Sequence, residues 1–275
     1  MSLFVQSNVA SLQAQNAFTT NELALNKTYQ QLSTGYKINS AGDDAAGLGI
    51  ATRMQAQVNS YSEATSNANN ALSMTQTADG GAEQVSNILD RLRQLAVEGS
   101  NGTMSSADSS NLNTEFQAQL GEITQIVNTT SFNGVSLLSG TAASINFQVG
   151  INNTANDQVG VAFGGMSVSS LGLTGVGVST TAGAFSAISI IDSAIQTLST
   201  QRAGFGAAED QFSDIVSNLA SISTNTSAAL SQIQDVDVAS ATAQLAQEQV
   251  LTQAGTSVLT QANQTPQLAE TLIHG

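Results

Sequence analysis

Residues 185–233, FSAISIIDSAIQTLSTQRAGFGAAEDQFSDIVSNLASISTNTSAALSQI, decide the fold. Ile191, Leu198, Phe205, Phe212, Leu219, Thr226 and Ile233 recur every seven residues, and all but Thr226 are apolar. Ile188 and Ile195 widen the stripe. A seven-residue repeat holds one stripe on one helix face and suits packing against other helices. A single helix over this stretch would be roughly 73 Å long at about 1.5 Å per residue. A compact chain of 275 residues has a radius of gyration of only about 19 Å. The stripe therefore predicts an elongated helical rod.

On the C-terminal side, Gln234-Asp235-Val236-Asp237 breaks the register, and a last helix is expected from about Val238 to Gln264. Leu251 and Val258 are seven apart there, with Leu245, Ala254, Leu259 and Ala262 beside them. No Lys or Arg follows Arg202, and seven acids occupy the final 73 residues. Such a segment is short of internal ion pairs, so its apolar face must find another helix.

On the N-terminal side the expected elements begin with a helix from about Asn8 to Leu32. Phe18, Leu25 and Leu32 are seven apart, as are Val5 and Leu12, and Gly35 suits a helix stop. A second helix is expected from near Ala45 to Asn101-Gly102, with Ser40, Asp43 and Asp44 as candidates for its cap. Its register runs through positions 54, 61, 68, 75, 82, 89 and 96 and through 64, 71, 78, 85 and 92, many of them alanine. Gly80-Gly81 is its weak point, at about 1 kcal/mol per glycine relative to alanine. Leu112, Phe116, Leu120, Ile123 and Val127 mark a third helix, capped by Asp108 or Ser109. The period then changes. Asn133-Gly134 is a hairpin signal, and Ile145, Phe147, Val149 and Ile151 alternate as a half-buried strand does. Val159, Val161 and Phe163 continue after a turn, and Val176 and Val178 suggest a weak further strand. Glycine is concentrated from 160 to 183 and absent from 207 to 254. The fold class is mainly α: an antiparallel helical bundle or coiled-coil rod with a β-containing middle at about 131–184.

Composition excludes several functions. Ser, Thr, Asn and Gln number 112 of 275 residues, while only 9% are charged. The 41% apolar content is too high for a disordered chain. Six basic residues against twenty acidic ones, a net charge of −14, give no footprint for nucleic acid. There is no cysteine and a single histidine, His274, so thiolate sites are excluded and zinc or Ser-His-Asp chemistry is improbable. No cofactor or metal is expected. No apolar run reaches the ~18 residues of a membrane span. The opening MSLFVQSNVASLQAQ has neither the basic nor the apolar region of a conventional secretory signal.

Candidate sites have plainer readings. Asp43 and Asp44 could form a paired-carboxylate acid/base site, but helix capping accounts for them. Asp235 and Asp237 could ligate calcium, yet the loop lacks the rest of an EF-hand, and a helix break with a cap suffices. His274 is a lone terminal side chain. Gly172-Leu173-Thr174-Gly175-Val176-Gly177 lacks the Lys-Ser/Thr ending of a phosphate loop. Asn-x-Ser/Thr triplets such as Asn101-Gly102-Thr103 are expected by chance in this composition.

Four stretches carry a resemblance. LSTGYKINSAGDDAAGLGIA at 32–51, LDRLRQLAV at 89–97, SFNGVSLL at 131–138 and QAGTSVLTQANQTPQ at 253–267 resemble the signatures of bacterial flagellin, in the same order. The similarity covers roughly residues 1–150 and 185–270. It implies a structural, non-enzymatic subunit that self-assembles into the extracellular flagellar filament after export through the flagellar type III apparatus. It implies that segments 1–44 and 234–275 pair as a filament-core domain and that 45–233 form the rod, with no large outer domain. Phe18, Leu25, Leu32, Leu245, Leu251, Val258 and Leu259 are then the expected assembly contacts. Partners implied are further copies of flagellin, an export chaperone, and the filament cap and hook-junction proteins, with no nucleic acid and no membrane. Arg91, Leu95 and Glu115 are similar to the flagellin patch bound by a Toll-like receptor, although Gln94 departs from the Glu often found there; packing against a neighbouring subunit is the competing reading. A hook–filament junction subunit shares parts of the terminal pattern. A catalytic insert riding on this scaffold, or a soluble receptor ligand, are the remaining alternatives.

Overall fold

The computed structural model describes residues 7–140 and 144–274, with side chains described as far as Gln264. Its helices are α1 (Val9–Thr34), α2 (Ala45–Gly99), α3 (Ser106–Thr129), α4 (Thr181–Gln234) and α5 (Val238–His274). Two antiparallel ribbons complete it: β1 (Ser131–Phe132) with β2 (Val135–Ser136), and β3 (Ile145–Gln148) with β4 (Gln158–Val161). The mainly helical class with a small β region is as expected. Val5 lies outside the described residues.

The helix ends follow from local chemistry. Asn8 caps α1 by accepting from the Ser11 amide at 3.1 Å, and Gly35 closes it in the left-handed conformation, φ 76°. Asp44 caps α2, its Oδ1 accepting from the Gly47 amide at 2.9 Å. Ser105 caps α3 in a reciprocal box with Asp108. The expected caps Asp108 and Ser109 are corrected accordingly: Asp108 is the third helical residue, whose carboxylate reaches back to the Ser105 amide. Helix α5 runs through Pro266 to His274, ten residues beyond the expected end at Gln264. A proline removes one helical donor, but the residues after it, QLAETLI, include good helix formers.

The described residues form two compact units. One comprises 57–224; the other joins the segment up to 56 with that from 225 onward. The division thus falls inside α2 and α4, away from the turns near 44 and 234.

In the unit of 57–224, Ile191, Leu198, Phe205, Phe212 and Leu219 are all buried, as the heptad stripe requires. They meet Ala68, Ala71, Ala78, Ala82, Leu89 and Leu92 of α2 and Phe116, Ile123 and Val127 of α3 in one core. Gly80-Gly81 does not interrupt α2. A Cβ at Gly81 would stand 2.7 Å from Thr130 Oγ1 and 2.9 Å from Leu138 Cδ1, so its lack of a side chain admits the chain that follows α3. Asn133 and Gly134, at φ 48° and 80°, make the tight hairpin turn that Asn-Gly predicts.

Strand β3 is shorter than the expected 145–151. The Val149 and Gly150 amides both turn to the Asp157 carbonyl, at 2.8 and 3.0 Å, which ends the ladder. Phe147 meets Phe212 edge-on at 5.6 Å, and Phe163 lies 5.7 Å from Phe205, so aromatic pairs fix this region on α4. Val176 and Val178 are buried but not in a strand. Gln117 donates to the Val176 carbonyl at 2.9 Å and Asn113 accepts from the Val178 amide at 2.9 Å, so α3 side chains replace a ladder.

Candidate functional site

The candidate site is the pair of helices α1 and α5, which pack along each other within the second unit. Their seam is more polar than expected. Ser11 and Thr28 are buried in it. Asn8 Nδ2 donates to the Ala262 carbonyl at 2.8 Å, and Ser11 donates to Asn263 at 2.8 Å. Asn21 Nδ2 donates to both the Glu248 carbonyl at 3.0 Å and Thr252 Oγ1 at 2.7 Å. Thr28 donates to Glu248 Oε1 at 3.2 Å. Phe18 packs over Gly255, where a Cβ would stand 3.2 Å from its ring.

The turns that lead out of α1 and into α5 are stitched together. Lys37 N donates to the Gln234 carbonyl at 2.7 Å and Val236 N to the Gly35 carbonyl at 2.9 Å. Asp237 caps α5 by accepting from the Ala239 and Ser240 amides at 3.0 and 3.2 Å. Asp43 clamps the turn before α2. It pairs with Lys27 of α1 at 2.8 Å and accepts from the amides of Asn39 and Ser40. The Lys27 ammonium, with the Ser40 hydroxyl and those amides, holds the Asp43 carboxyl at about 2, below its ordinary 3.8. Asp43 and Asp44 therefore act as a clamp and a cap, not as an acid/base pair.

The expected assembly residues divide between two faces. Phe18, Leu25, Leu32, Leu245 and Leu259 are half-buried, whereas Leu251 and Val258 are exposed. The seam on α5 follows Ala241, Glu248, Gly255 and Ala262, also seven apart, with Leu245, Thr252 and Leu259 beside them. Sequence reasoning missed this line because it searched for apolar repeats; a heptad of small and polar residues was the available signal.

In the other unit, Arg91 and Glu115 come together on the surface. Arg91 Nε and Nη2 reach Glu115 Oε1 at 3.0 and 2.6 Å, and Gln94 accepts from Arg91 at 3.4 Å. Leu95 corrects the expected patch. It is fully buried in the core, because α2 is covered there over an arc that takes in Leu92, Leu95 and Ala96 together.

The remaining candidates have structural roles. Gly172 and Gly175 adopt left-handed turns, φ 73° and 75°, around the buried Leu173. The Asp235 carboxylate accepts from Ser231. Among the described residues no group of three or more His, Asp or Glu is placed to hold a metal, and no helix is long and apolar enough to cross a membrane. The side chain of His274 lies outside those described.

Comparison with known proteins places this architecture. Residues 5–143 match the family described as the bacterial flagellin N-terminal helical region, and residues 188–272 match the bacterial flagellin C-terminal helical region. A flagellin of Listeria innocua is 34% identical over 98% of this chain and 99% of its own. A flagellin of Halalkalibacterium halodurans is 37% identical over 94% and 96%. The crystal structure of Bacillus cereus flagellin, 31% identical, superposes with a TM-score of 0.51 over 60% of this chain and 94% of that one. With both terminal regions matched in order and full-length relatives above 30% identity, the chain belongs to the bacterial flagellins, the structural subunits of the extracellular flagellar filament.

Proposed function

We propose that this subunit assembles through the α1–α5 pair, whose outward apolar side chains are covered by neighbouring copies. The distribution of exposed large apolar side chains carries this reading. Val9, Leu12, Leu23 and Tyr29 on α1, and Val238, Val250, Leu251 and Val258 on α5, are between 47% and 67% exposed. Of the other exposed large apolar residues among those described, only Val97 and Phe185 are as open, at 48% and 61%, and Tyr36, Ile50 and Val135 are less so. A concentration of this kind on one pair of helices marks an association surface. The same faces would engage an export chaperone before assembly, and the cap and hook-junction proteins at the ends of the filament. The test is to polymerise the purified chain and resolve the filament by electron cryomicroscopy. Long filaments with Val250, Leu251 and Val258 covered by adjacent copies are expected. Filaments in which these side chains remain in solvent would overturn the assignment.

A second reading concerns the Arg91–Glu115 pair, which is half exposed, 46% and 43%, and available to a partner. It supports contact with a flagellin-sensing Toll-like receptor. Arg91→Ala with Glu115→Ala is expected to lower receptor signalling by the folded monomer about tenfold or more, as loss of two hot-spot contacts would. Unchanged signalling removes this reading and leaves the assembly reading intact.

A further inference from the structure

We propose that Glu248 of one copy receives Arg53 of a second copy, so that the groove between α1 and α5 is completed only by self-association. This rests on the assembly reading above and names a charge pair within it. Glu248 Oε1 accepts from Thr28, but Oε2 is shielded from solvent and has no hydrogen-bond partner among the described residues. A shielded carboxyl oxygen without a donor is costly and calls for one. Glu248 lines a groove of about 1120 Å³ between the two helices.

The groove selects a basic occupant. Asp235, Asp237 and Glu248 line it together with Lys27 and Lys37, and Lys27 is already engaged by Asp43 at 2.8 Å. The chain supplies few candidates, since it has only six Lys and Arg residues. Lys27, Arg91, Arg93 and Arg202 are each ion-paired, which leaves Lys37 and Arg53 without an ion pair among the described residues. Lys37 already lines the groove of its own chain and makes no hydrogen bond to Glu248. Arg53 is exposed on α2, and its planar guanidinium can donate to a carboxyl oxygen from outside. Copies that each carry a net charge of −14 repel, and a cross-copy arginine–carboxylate pair offsets that repulsion while fixing the docking register.

The absence of cysteine from the chain makes the test direct. Arg53→Cys and Glu248→Cys are made singly in the full chain, mixed, polymerised and treated with a short bis-maleimide. Covalent dimers are expected from the mixed filaments and not from filaments of either variant alone. Filaments without dimers in the mixture, or with equal dimers in a single-variant sample, overturn the pairing and leave the assembly reading standing. Absence of filaments from the unaltered chain overturns both. Charge exchange gives an independent measure. Arg53→Glu and Glu248→Arg should each raise the critical concentration about tenfold or more, and the combined variant should recover most of that loss. A combined variant no better than the worse single one counts against the pair.

Discussion

Val258→Asp separates the folding of one copy from the assembly of many. Val258 is 56% exposed in the single chain. Full burial of a valine is worth about 1.5–3 kcal/mol, so covering the exposed half contributes about 1 kcal/mol per copy. Aspartate forfeits that and, in the proposed assembly, places a carboxylate in the seam between copies, where an unpaired buried charge costs several kcal/mol. No Lys or Arg follows Arg202 in the sequence to relieve it on this segment. A loss of about 4 kcal/mol raises the critical concentration for polymerisation by about a thousandfold, at about 1.4 kcal/mol per decade. Within the single chain the position is a solvent-facing helix residue, and the expected change in stability is within about 0.5 kcal/mol. Sedimentation of seeded reactions measures the first quantity and thermal melting of the monomer measures the second. The expected result is an unchanged melt with no pelletable filament at a hundredfold, or about 2.7 kcal/mol, above the wild-type critical concentration. Val258→Asp filaments at a critical concentration near wild type would refute the assignment of this face to assembly. Leu259→Asp provides the contrast. Leu259 is half-buried in the α1–α5 seam, so this variant should also weaken the pairing within the monomer.

Acid should loosen the Asp43 clamp only after ordinary surface carboxylates have begun to take up protons. Because the folded group lies at about 2 against 3.8, its stabilisation is complete above the unfolded value and lost as pH falls from 4 towards 2; melts across that window should be steeper for wild type than for Asp43→Asn, and equal slopes would contradict the clamp. Gly81→Val should destabilise the 57–224 unit by about 1–3 kcal/mol through crowding at Thr130 and Leu138. Gly80→Ala, with nothing within 4 Å of the added Cβ, should stabilise it by about 0.5–1 kcal/mol; chemical denaturation that ranks the two the other way would exclude the packing argument. Asn21→Ala removes the donor to the Glu248 carbonyl and Thr252. Loss of these two bonds costs about 1–3 kcal/mol, and amide exchange along 248–252 of the monomer should quicken about tenfold or more; unaltered exchange would mean that the polar seam does not hold the pair.

The stripe from Ile191 to Leu219 was legible because those side chains are buried on one face, so apolarity and heptad spacing report the same thing. The Asn133-Gly134 hairpin was legible for a different reason: few sequences tolerate two successive positive φ angles. Leu95 was misplaced because an a/d stripe was assumed for α2, whereas the helix is covered over the wider arc that includes Leu92, Leu95 and Ala96. At α1 and α5 the rule that apolar repeats mark the internal seam fails. Leu251 and Val258 face outward, while Asn21, Thr28, Glu248 and Thr252 meet inside. A sequence read as a single copy cannot distinguish side chains that stabilise that copy from side chains reserved for its neighbours. The Arg91–Glu115 pair was placed by resemblance, and no spacing rule would have linked residues 24 apart on different helices.

The polar seam has a physical rationale in an assembling subunit. An apolar seam between two lone helices would hold them tightly but tolerate slippage by a heptad, since one leucine replaces another at little cost. Hydrogen bonds each contribute only about 0.5–1.5 kcal/mol net, yet a buried donor left unpaired costs about 1–3 kcal/mol. Sliding α5 by seven residues would remove the Asn21 side chain from Thr252, and Thr28 from Glu248, and would drive the Phe18 ring against a residue larger than Gly255. Ala262 and Glu248 are the residues that a slip in either direction would bring to that place. The seam therefore discriminates between registers more strongly than it binds. In the assembly proposed above, cohesion is left to the exposed side chains from Val9 to Tyr29 and from Val238 to Val258, which would gain only when another copy arrives. This division lets register be set in each subunit while most of the apolar driving force remains available for polymerisation.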